Sequence, residues 1–306
     1  MGRRKISCIF NPKAGEGRFG ISESDLEDRI RRIARSAGSE IDLSVHASTS
    51  GEDITRLSKE AVADGVDIIA GGGGDGTINE IANVIAETEV ALGILPIGSG
   101  NDSLTSIKGD TSLEEAILDV ISNDPVPMDV GTVNGSYFVN VVGIGLDAEV
   151  NFETQRRKKL VRTIGPTLSY LISAVDVILK FNPKRIAVSI DGGEEAEFEA
   201  TMATIGNGDT CGAGFRLTPK AVMNDGKLDL SLIEKAGRLR ALTSISTLYK
   251  GKHLGREEVH YHQFENLRIR SLSGEILTQV DGEVRRYNEF HIRVVKNGIS
   301  ILHNFK

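Results

Sequence analysis

Residues 71–77 read Gly-Gly-Gly-Gly-Asp-Gly-Thr and follow directly on the apolar run Val66–Ala70. Residues without side chains at the end of a strand let the backbone turn tightly and leave main-chain N–H groups facing outward. The spaced apolar residues Ile78, Ile81, Ala82 and Ile85 come next, so the pattern predicts a buried strand, a bare loop and a helix after Thr77. A helix start attracts negative charge, and phosphate is the ligand such a loop suits. A glycine cluster also serves as a simple tight strand-to-helix turn, and that reading stays open.

The same alternation fills the first 125 residues. Strand-like runs stand at Ile6–Phe10, Ile41–Val45, Val66–Ala70 and Ala91–Leu95. Between them, Leu26, Ile30, Ile33, Ala34 and Ala37 follow Ser22 and Ser24, and Ile54, Leu57, Ala61 and Val62 follow Ser50. Helices between strands make the strands parallel, so residues 1–125 are expected to form a doubly wound α/β domain. Ligands in such sheets sit beyond the carboxyl ends of the strands, where Asn11-Pro12-Lys13-Ala14-Gly15, Gly71–Thr77 and Pro96–Asp102 fall.

From Pro125 the texture turns β-rich. Asn134-Gly135 separates Met128–Val133 from Tyr137–Val142, and Gly192-Gly193 separates Arg185–Ile190 from Ala196–Ile205, both hairpin signals. A second, largely antiparallel β domain is expected over residues 126–295, interrupted by helices at Lys159–Phe181 and Leu239–Tyr249. Asn297-Gly298, between Phe290–Val295 and Ile299–Leu302, reads as a further hairpin that carries residues 296–306 back to the first domain.

Composition removes several classes of function. A chain of 306 residues with 40% apolar and 26% charged residues is neither disordered nor membrane-embedded, and no stretch has the length of a spanning helix. A net charge of −7, 5% aromatics and no Trp argue against nucleic acid as a partner. Cys8 and Cys211 stand far apart, which disfavours a disulfide framework or a metal knuckle and suits a reducing cytoplasm. Met1–Ile6 lacks the long apolar core of a signal peptide, and Ile6 stands where a myristoylation site needs Ser or Thr.

The glycine segment satisfies G-x-G-x-x-G, but Ala91–Leu95 ends in Pro96-Ile97, with no acidic residue for a ribose hydroxyl. It is not a Walker A loop either, since Thr77 stands where that motif needs Lys. Asp75 would repel a bare phosphate, so a carboxylate there makes sense with Mg²⁺. Leu95-Pro96-Ile97-Gly98-Ser99-Gly100-Asn101-Asp102 offers polar groups that equally suit a helix N-cap. Asp75 and Asp102 nevertheless share one sheet edge, an arrangement suited to a shared cation.

Taken in order, Asn11–Gly15, Gly73-Gly74-Asp75-Gly76-Thr77 and Leu95–Asp102 resemble the motifs of the diacylglycerol kinase catalytic domain, whose fold sphingosine and ceramide kinases share. The likeness continues through Asp129-Val130-Gly131, Gly143–Ala148, Asn224–Asp229 and Val280-Asp281-Gly282-Glu283, nearly the whole chain. It implies an α/β domain like that of NAD kinases and phosphofructokinases, a β-sandwich-like second domain, and an active site in the cleft between them. It also implies that ATP phosphates are held by Asn11, Pro12, Lys13, Ala14 and Gly15, by Gly71, Gly72, Gly73, Gly74, Asp75, Gly76 and Thr77, and by hydroxyls of Thr49 and Ser99, where Ser99 replaces the family's usual Thr.

By the same resemblance Asp75, Asp102 and Asp129 form a network around catalytic Mg²⁺, and Asp281 or Glu283 takes the proton of the substrate hydroxyl. Their i,i+2 spacing puts both on one side of an extended segment, although Asp-Gly alone also marks a hairpin turn. Asp225, with main-chain oxygens of Val222 and Lys227, resembles a second, structural Mg²⁺ site, against the alternative of a metal-free Asn-Asp-Gly turn.

The implied reaction is transfer of the γ-phosphate of ATP to a lipid hydroxyl, with diacylglycerol, giving phosphatidic acid, the favoured acceptor. The alternatives are a sphingoid base, phosphatidylglycerol or an isoprenoid glycerol lipid, a soluble substrate as in NAD kinases, or a nucleotide-binding regulator without turnover. The family also suggests a homodimer. Arg156-Arg157-Lys158-Lys159, then Leu160, Val161 and Arg162, lead into apolar Ile164–Phe181, and such cations gain roughly 1 kcal/mol each near an anionic leaflet. Reversible, peripheral contact with the inner face of the membrane is the expectation, with a solvated helix start as its alternative.

Overall fold

A computed structural model of the chain describes residues 3–17, 20–157, 163–212 and 214–306. The chain divides into two units, Met1–Met128 with Asn297–Lys306, and Asp129–Lys296.

In the first unit β1 (Arg4–Phe10), β2 (Ile41–Ala47), β3 (Ile68–Gly73) and β4 (Ala91–Pro96) run parallel in the order β4–β3–β1–β2. Phe10 stands opposite Gly72, and Gly72 opposite Leu95, so the loops that follow β1, β3 and β4 all leave from one edge. The helices are α1 (Glu23–Ser36), α2 (Gly51–Ala63), α3 (Asp75–Ile85), α4 (Asp102–Lys108) and α5 (Leu113–Ser122). Ser22 and Ser112 start α1 and α5 with capping boxes, and Ser50 caps α2.

Helix α3 corrects the sequence reading, because it opens at Asp75 rather than after Thr77. An acidic first residue complements the positive end of the helix, so Asp75, Gly76 and Thr77 form its first turn.

Ile6, Cys8, Phe10 and Ala70 share one apolar cluster with Leu26 and Ile30 of α1 and Ile117 and Val120 of α5. Gly71, the neighbour of Ala70, faces the opposite way along the strand, and a Cβ there would come within 2.8 Å of Ile78 and Ile81 of α3. Helices therefore cover both faces, as a parallel sheet requires. Cys8 lies in this core, and burial pushes its thiol up to about 12, so it is chemically inert.

The second unit is antiparallel. Its strands are the last part of β5 (Val126–Val133), β6 (Ser136–Phe138), β7 (Val141–Gly145), β8 (Lys184–Ile190), β9 (Ala196–Gly206), β10 (Leu228–Glu234), β11 (Val259–Phe264), β12 (Asn266–Ser271), β13 (Ile276–Val280), β14 (Glu283–Tyr287) and the start of β15 (Glu289–Ile301). They follow the order β14–β13–β7–β9–β8–β12–β15, with β10 joining β9 to β11. Leu228, Leu230 and Leu232 of β10 join Val142, Ile144, Phe264 and Phe290 in its central cluster.

The helical segment expected over Lys159–Phe181 is corrected to α7 (Pro166–Lys180), preceded by a separate α6 (Leu146–Arg156). Gly165 at φ +85° and Pro166 at the first helical position give α7 its definite start. Residues 158–162, most of the expected basic cluster, lie outside the described residues. The helix α8 (Arg238–Tyr249) stands where the pattern put it.

The expected hairpin at Asn297-Gly298 is absent. Phe290–Val295 and Ile299–Ile301 belong to the single strand β15, which pairs antiparallel with β12 and then, from Ser300, parallel with β4. Asn297 takes a left-handed φ of +54°, and the strand continues through it.

Candidate active site

The glycines at 71–74 divide into two groups. Gly71, Gly72 and Gly73 are buried within β3, and a Cβ would lie 2.6 Å from Phe10 Cβ at Gly72 and 2.3 Å from Thr77 Oγ1 at Gly73. These three let α3 and β1 approach closely. Gly74 caps α3 with extended backbone and is only half-buried, so Gly74, Asp75 and Gly76 form the accessible part of the loop.

The loop after β4 meets this one backbone to backbone, since a Cβ on Gly98 would fall 2.3 Å from Gly74 Cα. Asn101 closes that loop on itself, its Oδ1 accepting from Gly98 N at 3.0 Å and its Nδ2 donating to Gly98 O at 3.2 Å. Because Asn101 is used in this way and sits at φ +54°, it gives α4 no side-chain cap. Asp75 supplies one from across the loops: Oδ1 accepts from Ser103 N at 2.8 Å and Ser103 Oγ at 2.7 Å, and Oδ2 from Asp102 N at 3.2 Å.

Asp75 and Asp102 are thereby brought together. A Cβ on Gly100 would lie 3.5 Å from Asp75 Oδ2 and 3.5 Å from Asp102 Oδ2, so both carboxylates converge on a place where no side chain stands. Two hard oxygen donors facing one open position suit a divalent cation that keeps several waters. Ser99 is exposed beside them, and Asn11 is fastened to the glycine strand by Asn11 N donating to Gly72 O at 2.8 Å. Asn11 Oδ1 accepts from Lys13 N at 2.9 Å, which shapes the Asn11–Gly15 loop, with Pro12 and Ala14 half-buried and Lys13 exposed. Thr49 is exposed, and its hydroxyl donates to Asp53 Oδ2 of α2 at 3.0 Å.

Asp129 is the first residue of the second unit and is 1% exposed. Its Oδ2 accepts from Gly226 N at 2.6 Å, and its main-chain N–H donates to Met223 O at 2.8 Å, so it braces the turn that carries Asp225. Among the described residues no three His, Cys, Asp or Glu side chains group as a metal site. Asp225 itself makes an Asx turn, Oδ1 accepting from Lys227 N at 3.0 Å while Oδ2 accepts from Gln263 Nε2 at 3.0 Å, and its N–H faces Val222 O at 3.4 Å.

Close by, Asp229 is 1% exposed with neither carboxylate oxygen in hydrogen-bond geometry. Burial and the Asp225 charge push it up to about 6, a rise that neighbouring Tyr261 and Gln263 temper. Asp229 is thus a second buried carboxylate beside an Asp225 turn that is itself closed by hydrogen bonds at both oxygens.

Asp281 and Glu283 do not share an extended segment, and that expectation is corrected. Val280 pairs with Glu283, and Asp281-Gly282 form a two-residue turn with φ of +45° and +88°, the type I′ geometry for which Asp-Gly is favoured. Asp281 is 4% exposed, and its carboxylate accepts from Val139 N at 2.6 Å, Asn140 N at 3.0 Å and Val141 N at 2.8 Å. Glu283 is exposed at the start of β14.

The diacylglycerol kinase catalytic domain matches residues 5–133, and the YegS C-terminal NAD kinase beta sandwich-like domain matches residues 140–303. The chain belongs to the diacylglycerol kinase family. A diacylglycerol kinase of Bacillus subtilis (strain 168) is 27% identical, over 96% of this chain and 97% of its own. One of Staphylococcus haemolyticus (strain JCSC1435) is 30% identical, over 92% and 82%. A crystal structure from Bacillus anthracis str. Sterne superposes with a TM-score of 0.76 at 26% identity, covering 98% of this chain and 95% of the other. The protein is accordingly a lipid kinase, with the two-domain α/β and β-sandwich-like fold of that family.

Gln279 and Ser103 carry no motif of their own, and Asp229 closes the Asn224–Asp229 motif without a role being expected of it. For Asp229 a signal existed: it is an acid in the alternating strand Leu228-Asp229-Leu230-Ser231-Leu232, whose leucines fill the core.

Proposed function

We propose that this kinase transfers the γ-phosphoryl group of ATP to the hydroxyl of diacylglycerol, with Mg²⁺ bound at Asp75 and Asp102. The observation that carries the reading is the convergence of those two carboxylates on the open position at Gly100, beside the start of α3. Main-chain N–H groups of Gly74–Gly76 and Gly15, with the side chains of Asn11, Lys13 and Ser99, would orient the phosphates, while Thr49 would act once its bond to Asp53 is exchanged. Asp129 would hold the turn of a second, structural Mg²⁺ site formed by Asp225 and the carbonyls of Val222 and Lys227.

Bound Mg²⁺ supplies charge neutralisation as the phosphoryl group passes between oxygens. The lipid hydroxyl oxygen bonds to the γ-phosphorus, the bond to the bridging oxygen of ADP breaks, and the hydroxyl proton goes to the Asp281–Glu283 turn. Asp281 is our first choice as acceptor, and Glu283, exposed and two residues on, is the alternative.

Contact with the membrane would be made by α7. Its Tyr170, Ala174, Val177 and Ile178 pack inside the unit, yet Leu168, Ile172, Val175 and Leu179 form an exposed stripe along it. The stripe is a second apolar face on a helix that also carries Asp176, and exposed Arg156 and Lys180, ion-paired with Glu153 and Asp176, would exchange those partners for anionic headgroups. Among the described residues no helix is long and apolar enough to cross a membrane.

The test is transfer of labelled γ-phosphate from ATP to a panel of micellar lipid alcohols and soluble alcohols. Labelled phosphatidic acid is the expected product. Labelling only of another lipid or of a soluble alcohol would reassign the acceptor, and ATP binding without any product would make the chain a regulator.

A further inference from the structure

The Gly143–Ala148 segment holds an acid with no part in the chemistry above. Asp147 is 4% exposed, at the start of α6, and burial raises its pKa. Its Oδ1 accepts from Tyr170 Oη at 2.7 Å and its Oδ2 from Gln279 Nε2 at 3.3 Å. A Cβ on Gly143 would lie 1.9 Å from Asp147 Oδ2, so β7 has to carry glycine there for the carboxylate to fit.

Gln279, also 4% exposed, accepts from Gly282 N at 2.8 Å through Oε1. A main-chain N–H can only donate, so this bond fixes the Gln279 amide with its oxygen toward Gly282 and its nitrogen toward Asp147. The other polar group of Gly282 is also held from α6, since Gln155 Nε2 donates to Gly282 O at 2.5 Å. Gly282 lies between Asp281 and Glu283, so both of its main-chain bonds run to side chains anchored on α6, while Asp281 N donates to Val141 O of β7 at 3.0 Å.

A type I′ Asp-Gly turn forms without such support, and burying a carboxylate without a cation is costly. What the relay adds is a fixed orientation of the turn. We propose that Asp147, acting through Gln279, is a positioning residue for phosphoryl transfer, setting where the Asp281–Glu283 turn presents its proton-accepting carboxylate. The proposal rests on the reading that one of those two carboxylates takes the substrate proton.

The test uses the full chain with Mg²⁺-ATP and micellar diacylglycerol. It compares Gln279→Met, Asp147→Asn and Asp147→Ala, with Asp281→Asn and Glu283→Gln as references. Displacing a reacting group by about 1 Å costs on the order of 100-fold. Gln279→Met is therefore expected to lower kcat ten- to hundredfold with KM for ATP near wild type, to lower the urea midpoint modestly because Asp147 loses a donor, and to speed hydrogen exchange at the Gly282 amide. Asp147→Asn keeps an oxygen for Gln279 and can donate to Tyr170 Oη, so it should retain kcat within about threefold. Asp147→Ala, which strands Gln279, should behave like Gln279→Met and serves if that variant does not fold.

Wild-type kcat in Gln279→Met and Asp147→Ala, with kcat lost in Asp281→Asn or Glu283→Gln, overturns the positioning role alone. Full kcat in both reference variants overturns the proton-acceptor reading, and the proposal with it.

Discussion

Both units fasten an aspartate with hydrogen-bond donors, but they do so to different ends. In the first, Asp75 accepts from Asp102 N, Ser103 N and Ser103 Oγ, and still shares with Asp102 a position that no side chain fills. In the second, Asp281 accepts from three successive main-chain N–H groups and is buried, while its turn is held from behind through Gln279 and Gln155. Each aspartate thus gives three of about four acceptor positions to bonds within its own unit, and what separates them is the neighbour: Asp75 stands beside a second converging carboxylate, whereas Asp281 is set by successive main-chain donors.

The comparison breaks first at Asp102. Asp102→Asn removes one of two converging charges and should lower kcat on the order of 100- to 1,000-fold at fixed Mg²⁺, with part of the loss recovered at high Mg²⁺ in a metal titration. Next comes a pair of glycines in one loop. Gly98→Ala forces a methyl against Gly74 backbone and should cost about 1–3 kcal/mol in urea unfolding. Gly100→Ala meets only ordinary contacts at 3.5 Å, so its midpoint should hold while its Mg²⁺ requirement rises several-fold. Equal effects of the two on stability would remove the distinction between packing glycines and site glycines.

The returning C-terminus gives a pH-dependent test of the first unit. Ile94 N donates to His303 Nε2 at 2.8 Å, which leaves Nδ1 to donate to Asp119 Oδ2 at 3.0 Å, beside Lys108. Burial works against the Asp119 charge, but the hydrogen bonds from His303 and Lys108 outweigh it and hold the carboxyl below its ordinary range. A depressed carboxylate contributes stability above its unfolded-state pKa and loses it as pH falls through the folded value. Asp119→Asn should therefore cost about 1.5–3 kcal/mol at pH 7, and its urea midpoint should converge with wild type in acid. The smallest effect is expected at exposed Ser99, where Ser99→Ala should raise KM for ATP by no more than a few-fold in steady-state kinetics.

The loops of the first unit were legible because their signals are local. Glycines, apolar runs and capping serines put Asn11, Gly74 and Ser99 at one sheet edge, where the paired strands set them. What the pattern missed lies far apart in the chain. Asp281 meets Val139 across 142 residues and Asp129 meets Gly226 across 97, separations that no periodicity encodes. Asn-Gly at 297 misled for a different reason: the left-handed Asn that builds a hairpin turn also occurs within a continuous strand. Asp281-Gly282, with the same kind of signal, does form the hairpin turn.

In the proposed reaction Asp75, together with Asp102, would hold the Mg²⁺ that serves transfer from ATP to diacylglycerol. This role is tested most directly by measuring labelled phosphatidic acid formed by the wild type and by Asp75→Asn across a Mg²⁺ titration, with EDTA as the zero point. Product is expected to require Mg²⁺ in the wild type, and in the variant the rate should fall by on the order of 100-fold or more while unfolding loses only the roughly 0.5–2 kcal/mol of a weakened α4 cap. Wild-type rates and an unshifted Mg²⁺ dependence in Asp75→Asn would contradict it.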